Sequence, residues 1–232
     1  MRNALVFLFV LLMSATAVAA TLNLPATKDA RILGHRSEVN QNCGKSSRLR
    51  MVGITRGSAE FVIVDFNRAQ LKEFLEQQKD KAVSGKLMIN VREVKAGEKI
   101  KVEVATIDCA VDWVEGTGVQ AKAKKGESCA LAAQFETKKW AKPDGTEVAR
   151  FKEMVYDGNE VTTVLNSKGV EVRPADARKY VEIELDEKLI KHLGTDANCR
   201  GLFLLIRDKK AKVDLYSREQ NRRGPKLVVT AK

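Results

Sequence analysis

"KLMINVREVKAGEKIKVEVATI", Lys86 to Ile107, is the stretch that decides the fold. Leu87, Ile89 and Val91 fall on one side of an extended chain, while Lys86, Asn90 and Arg92 fall on the other. The second half repeats the rule, with Ile100, Val102 and Val104 on the apolar side and Lys99, Lys101 and Glu103 opposite them. Side chains of a strand alternate between its two faces, so a period of two in hydrophobicity means a half-buried β-strand. "KAGEK" between the halves carries a glycine and reads as a hairpin turn.

The same period recurs along the chain. "RLRMVGI" follows a polar turn at "NQNCGKSS", and "EFVIVDF" is apolar almost throughout, as a central strand should be. "TEVARFKEMVY", "EVTTVL", "YVEIEL", "GLFLLIRD", "KVDLYS" and "KLVVTA" complete the set, and Asp157-Gly158 between two of them is a hairpin signal. About ten or eleven strands with short polar turns indicate an all-β fold, an antiparallel β-sandwich of jelly-roll type.

Two helices are expected with it. Leu71, Phe74, Leu75 and Ala82 make one stripe in "RAQLKEFLEQQKDKAV", and the helix expected over Arg68–Lys81 is a peripheral amphipathic brace. A short helix near the C-terminal third runs through "DEKLIKHLG", with Asp186 as N-cap and Gly194 in the C′ position. His192 then sits in the last turn, where the helix dipole favours it. The segment from Asp108 to Gly145 is irregular and holds both tryptophans, Trp113 and Trp140.

The N-terminus reads as an export signal. Arg2 precedes an apolar run from Ala4 to Met13 and the small residues Ala17 to Ala20. The run is shorter than the roughly 20 residues a membrane-spanning helix needs, so residues 1–20 read as a cleaved leader rather than a retained anchor. The product is expected to be secreted, periplasmic or at the cell surface, without a membrane span. The chain has 232 residues and a formal charge of +11, one less without Arg2. That balance suits polyanions, and outside the cytoplasm acidic polysaccharide is a more natural partner than nucleic acid. General solubility explains scattered charges equally well.

All four cysteines, Cys43, Cys109, Cys129 and Cys199, follow the leader. An even count in an exported chain argues for disulfides. Zinc is the competing reading, although close C-x2-4-C pairs are absent. The only histidines are His35 and His192, and no P-loop, dinucleotide, zincin or nucleophile-elbow motif occurs. The chain therefore reads as a non-enzyme without a cofactor. Calcium held by jelly-roll loops is left open, with Asp108, Asp112 and Asp144 as candidate acids. Trp113 with Glu115 is either a sugar-stacking pair or a packed ring beside a turn-supporting acid. Trp140, among Lys138, Lys139 and Lys142, is the better candidate platform. Arg48, Arg50, Arg92, Lys99 and Lys101 point outward by the alternation and are the candidate ligands for an anionic glycan, or else solvated strand faces.

Several segments in order resemble the DNRLRE-domain proteins, jelly-roll modules related to disaggregatase repeats and family 96 carbohydrate-binding modules. Asn40, Asn42, Cys43, Gly44, Ser46, Leu49 and Val52 are similar to an early "N-x-N-Y-G-x-S-x-x-L-x-V" signature. "EFVIVDFN", "KLMINVREV" with "KVEVATI", "DWVEGTG", "KKWAKPDGTE", "VEIELDEKLIKHLGTDANCRGLFLLIRD" and "LYSREQNRRGPKLVVT" resemble later ones. The likeness covers about residues 28–232, but the DNRLRE hexapeptide is absent, the helix from Arg68 is long, and Cys43 and Cys199 replace two turn tyrosines. It implies one domain over residues 21–232, a secreted non-catalytic module binding extracellular polysaccharide, or a structural or adhesive cell-envelope component. If the two substituted turns lie together, it also implies Cys43–Cys199 and Cys109–Cys129 bridges.

Overall fold

The computed structural model describes residues 19–54, 59–95, 99–157, 160–220 and 222–232. The expected export signal lies outside them up to residue 18, as does the central part of the "KAGEK" turn. Among the described residues no helix is long and apolar enough to cross a membrane.

The fold is an antiparallel all-β sandwich built on one large curled sheet. Its eleven strands are β1 (Ala20–Pro25), β2 (Lys28–Leu33), β3 (Arg48–Val52), β4 (Glu60–Asp65), β5 (Val83–Lys95), β6 (Ile100–Asp108), β7 (Val170–Val172), β8 (Tyr180–Leu185), β9 (Cys199–Ile206), β10 (Lys212–Tyr216) and β11 (Lys226–Ala231). The order is β1-β11-β5-β10-β3-β4-β9-β6-β7, with β8 on the other edge of β5 and β2 on β4. The long β5 serves both layers: Val83–Met88 pair with β11, Gly85–Asn90 with β8, and Val91–Lys95 with β10.

The alternation in Lys86–Ile107 is present, but the hairpin it suggested is not. β5 and β6 are five ladder steps apart, and both still bury their apolar residues in one core. The pattern determines which face looks inward; it carries nothing about which strand lies alongside. The sheet therefore curls so that Leu87, Ile89 and Val91 share a core with Ile100, Val102 and Val104.

β4, β6 and β9 are buried on both faces. Val62, Val64, Leu202 and Leu204 enter the first core, while Phe61, Ile63, Phe203 and Leu205 enter a second. The second core is covered by the irregular segment, which supplies Trp113 and Trp140, and by the residues after it, which supply Phe151 and Met154. The Trp140 and Phe151 ring centroids are 5.0 Å apart and those of Phe151 and Phe203 5.9 Å, both edge-on, a favoured aromatic geometry. Part of "TEVARFKEMVY" is a helical turn, α2 (Phe151–Val155), rather than a strand. Phe151, Met154 and Val155 stand at helical spacing and are all buried. The residues flanking Asp157-Gly158 do pair as expected, Tyr156 with Val161 and Asp157 with Glu160.

The first helix, α1 (Arg68–Gln77), ends four residues before Lys81, and Leu71 and Leu75 are its buried stripe. Asn67 caps it by accepting from the Gln70 amide. The other expected helix, α3 (Glu187–Thr195), contains Gly194 rather than ending before it. A Cβ at Gly194 would lie 2.6 Å from Leu75 Cδ1, so the glycine lets α3 approach α1. Asp186 turns its carboxylate to the Ser167 hydroxyl (2.6 Å) instead of capping α3.

The four cysteines are all unbonded and buried, so neither expected bridge forms. Cys43 faces Arg31, whose Nη2 is 3.7 Å from its sulfur, while Cys199 lines the first core. Cys109 belongs to the second core and Cys129 to a small separate cluster with Ala123 and Ala132. Three thiols thus lie in three different apolar clusters and the fourth against a guanidinium.

The polar turn before β3 is fixed by Asn42, which uses its full hydrogen-bonding capacity. Its Nδ2 donates to the carbonyls of Glu115 (2.7 Å) and Ser128 (2.8 Å), and its Oδ1 accepts from the amides of Gly44 (3.0 Å) and Gly118 (2.8 Å). A Cβ at Gly44 would lie 2.0 Å from the Glu115 carbonyl oxygen. Glu115 itself accepts from the Asp29 amide (2.8 Å) and from Arg218 Nε (2.8 Å) and Nη2 (2.6 Å). Asp29 accepts from the Arg218 amide (2.7 Å), but its Oδ1 is buried without a partner among the described residues. Burial, reinforced by Glu115 and opposed by the Arg218 amide, pushes its carboxyl up to about 7.

Gly44→Ala is expected to cost about 1–3 kcal/mol or more in urea unfolding, because backbone rather than a side-chain tip must yield. Asp29 favours the folded state most in its protonated form. Its contribution is full below about pH 4 and is lost as pH rises through about 7, a change of a few kcal/mol. Asp29→Asn keeps an acceptor for Arg218 and removes the titration, so thermal melts from pH 4 to 7 should show the variant gaining steadily on the parent.

Candidate functional site: a basic, tyrosine-bearing sheet face

One stretch of the curled sheet carries cations and phenol rings on its outer face. In β3, Leu49 and Met51 enter the first core, which turns Arg48 and Arg50 outward. β10 pairs with it, setting Tyr216 opposite Arg48 and Asp214 opposite Arg50. On the other side of β10, Asp214 pairs with Glu93 but Leu215 pairs with Val91, so Arg92 is the extra residue of a β-bulge. The bulge explains why the alternation of β5 fails at "VREV". It aims Arg92 over the Tyr216 ring, 5.7 Å from its centroid.

A second cation, Arg223, lies 4.9 Å from the same centroid. Across β5, Tyr180 pairs with Asn90, and Lys226 Nζ stands 4.9 Å from the Tyr180 ring centroid. Both distances are within the reach of cation–π attraction. The Tyr180 hydroxyl donates to the Arg222 carbonyl at 2.7 Å and so anchors the loop that carries Arg223. Asn90, between the two tyrosine-bearing strands, is 5% exposed, and its Oδ1 has no hydrogen-bond partner among the described residues.

The five basic candidates therefore divide. Arg92 lies over Tyr216, while Arg48 stands opposite Tyr216 in the ladder and reaches Asp214 at 3.7 Å. Arg50 belongs to the same face but is committed to the buried Asp214, with Nε and Nη2 at 2.7 and 3.0 Å from its two oxygens. That bond raises the Arg50 pKa and keeps its charge in place. Lys99 and Lys101 lie elsewhere: β6 is three strands from β3, and the two lysines pair with Glu171 (2.9 Å) and Glu103 (3.5 Å).

The expected platform at Trp140 is overturned. Its ring is 0% exposed, and its Nε1 donates to the Cys129 carbonyl at 2.8 Å. Flanking lysines suggested exposure, but Lys138 and Lys139 point out while the next residue turns into the second core. Trp113 is likewise buried, donating to the Arg200 carbonyl (2.8 Å), and Glu115 is held by Arg218. The candidate calcium acids do not converge. Asp112 pairs with Lys28 (3.1 Å), Asp144 accepts from the Thr146 amide (2.8 Å), and Asp108 contacts His192.

Tyr180, Tyr216, Arg223 and Lys226 were not among the sequence candidates. The alternation in "KVDLYS" places Tyr216 outward once Val213 and Leu215 are inward, so that signal was present. The approach of the loop cations to the two rings was not, because it depends on β8, β10 and β11 sharing β5 as a neighbour. No protein-family model matches the chain, and comparison with curated proteins finds no relative.

Removing Arg50 leaves the buried Asp214, among the described residues, with the longer 3.7 Å contact from Arg48. Arg50→Ala should lose on the order of 2 kcal/mol of unfolding free energy. Arg92→Ala, at an exposed position, should change it by less than about 0.5 kcal/mol. Urea titrations of the two variants would distinguish a structural arginine from one free to meet a ligand.

Proposed function

We propose that this chain is a non-catalytic module that binds an anionic extracellular polysaccharide along the Tyr180–Tyr216 face. The observation that carries the reading is the placement of two partly exposed phenol rings, each beneath a Lys or Arg side chain, on the two strands that flank β5 in one sheet. Sugar rings pack their axial C–H faces against aromatic surfaces. Guanidinium groups pair with carboxylates or sulfates through two parallel hydrogen bonds. A sheet holds these groups with little conformational freedom to lose on binding. The resemblance to DNRLRE-domain proteins and the exported character read from the N-terminus agree with this role.

Affinity electrophoresis in gels containing alginate or a sulfated glycan tests it. Retardation at low salt is expected, fading as the Debye length falls toward about 3 Å at 1 M salt. An Arg48/Arg92/Arg223 triple alanine variant should lose most of the retardation, and Tyr216→Ala several-fold, with circular dichroism unchanged. Absence of retardation in the parent, or full retardation in the triple variant, overturns the assignment.

A further inference from the structure

A second constellation lies at the end of β6 and β9, outside the tyrosine face. Asp108, the last residue of β6, pairs in register with Cys199, the first of β9, and His192 of α3 leans over the pair. One donor atom from each of the three residues lies within 4.8 Å of the other two. His192 Nε2 is 2.9 Å from Asp108 Oδ1, and the other ring nitrogen, Nδ1, faces Asp196 Oδ2 at 3.8 Å.

We propose that Asp108, His192 and Cys199 form a binding site for a divalent transition metal of the zinc class, with solvent as fourth ligand. The donor set is one thiolate, one imidazole and one carboxylate, a combination that suits zinc and disfavours calcium or magnesium. Zinc bonds of about 2.0–2.3 Å at tetrahedral angles place donors about 3.3–3.8 Å apart. The 2.9 Å between His192 and Asp108 must open slightly, and the sulfur, within 4.8 Å of both, must close in by up to about 1 Å. The His192 and Asp108 side chains are 23% and 14% exposed, which leaves an open side for the ion and its water.

The surroundings support the ligands. A metal-bound histidine ordinarily presents its second ring nitrogen to a carboxylate, and Asp196 is placed for that. The Cys199 thiol rests 3.7 Å from the Gly201 carbonyl, and Gly201, at φ +115°, occupies the register break between Cys199 and Leu202. Arg68 Nη1 donates to the Cys199 carbonyl while its Nε pairs with Asp65 at 3.3 Å, and Arg200 Nε donates to the Cys109 carbonyl at 3.1 Å, so both arginines have partners other than the thiol. Without a metal, burial pushes the thiol up to about 12 and makes it a poor nucleophile. On binding, the sulfur–hydrogen bond breaks, the proton passes to solvent, and the sulfur lone pair forms the metal bond.

Cobalt(II) added to the purified, chelator-stripped protein tests the site. The expected result is one ion per chain, a thiolate-to-cobalt charge-transfer band in the near ultraviolet, tetrahedral d–d absorption in the red, and loss of both when zinc is added. Cys199→Ser should abolish the charge-transfer band, and His192→Ala should weaken binding at least tenfold. Asp196→Asn, which leaves all three ligands in place, should keep the band and weaken binding about 10- to 100-fold. Cys109→Ser, whose thiol belongs to the second core, should bind as the parent does. No charge-transfer band in the parent protein, or a band that survives Cys199→Ser, overturns the site. Should that variant fail to fold, His192→Ala decides: a parent-like band with unchanged affinity in that variant overturns the site.

Discussion

The carboxylate of Glu115 is the point on which distant parts of the chain depend. It joins the Asp29 amide, 86 residues before it, to the Arg218 guanidinium, 103 residues after it. Arg218 in turn reaches back through its own amide to the Asp29 side chain across 189 residues. Three segments that share no local sequence therefore meet in a single charge-assisted network with short, two-pronged geometry. Such a network is a weak source of net stability because its ions must be desolvated. Its consequence is register: Glu115 cannot be satisfied unless β2, the irregular segment and the chain after β10 are all in place. The partnerless Asp29 Oδ1 is the cost of gathering two acids and one arginine in so small a space.

Around that network the sheet is curled and buried on both faces over β4, β6 and β9. A two-layer sandwich buries one face of each sheet; here the segment after β6 folds back and adds a third layer through Trp113, Trp140 and Phe151. This explains why two apparently platform-like tryptophans are core residues. The third layer leaves the β5–β10–β3 face outside its cover. That face is where cations and tyrosines lie.

The cysteines follow the same logic. Even-numbered thiols in an exported chain suggest bridges, but a disulfide needs two sulfurs in one compartment at close range. The layered arrangement assigns them to different compartments. The Cys199 sulfur is brought beside the His192 and Asp108 side chains. Its chemistry is set by those neighbours rather than by another cysteine.

The sequence by itself determined the class of the fold, because alternation has a physical cause that acts residue by residue. Leu87, Ile89 and Val91, or Leu49 and Met51, face the core wherever their strands lie. It also marked both principal helices through their apolar stripes and placed Arg48 and Arg92 outward. β1 and β2 escaped notice, since Pro25 interrupts the run and the buried Asp29 and Arg31 disguise β2 as polar. Strand order, the bulge at Arg92, the burial of Trp140 and the separation of the thiols were decided only by the tertiary structure. Alternation specifies a face and not a neighbour. Which cation meets which ring, and which histidine meets which cysteine, depends on contacts between residues far apart in the chain.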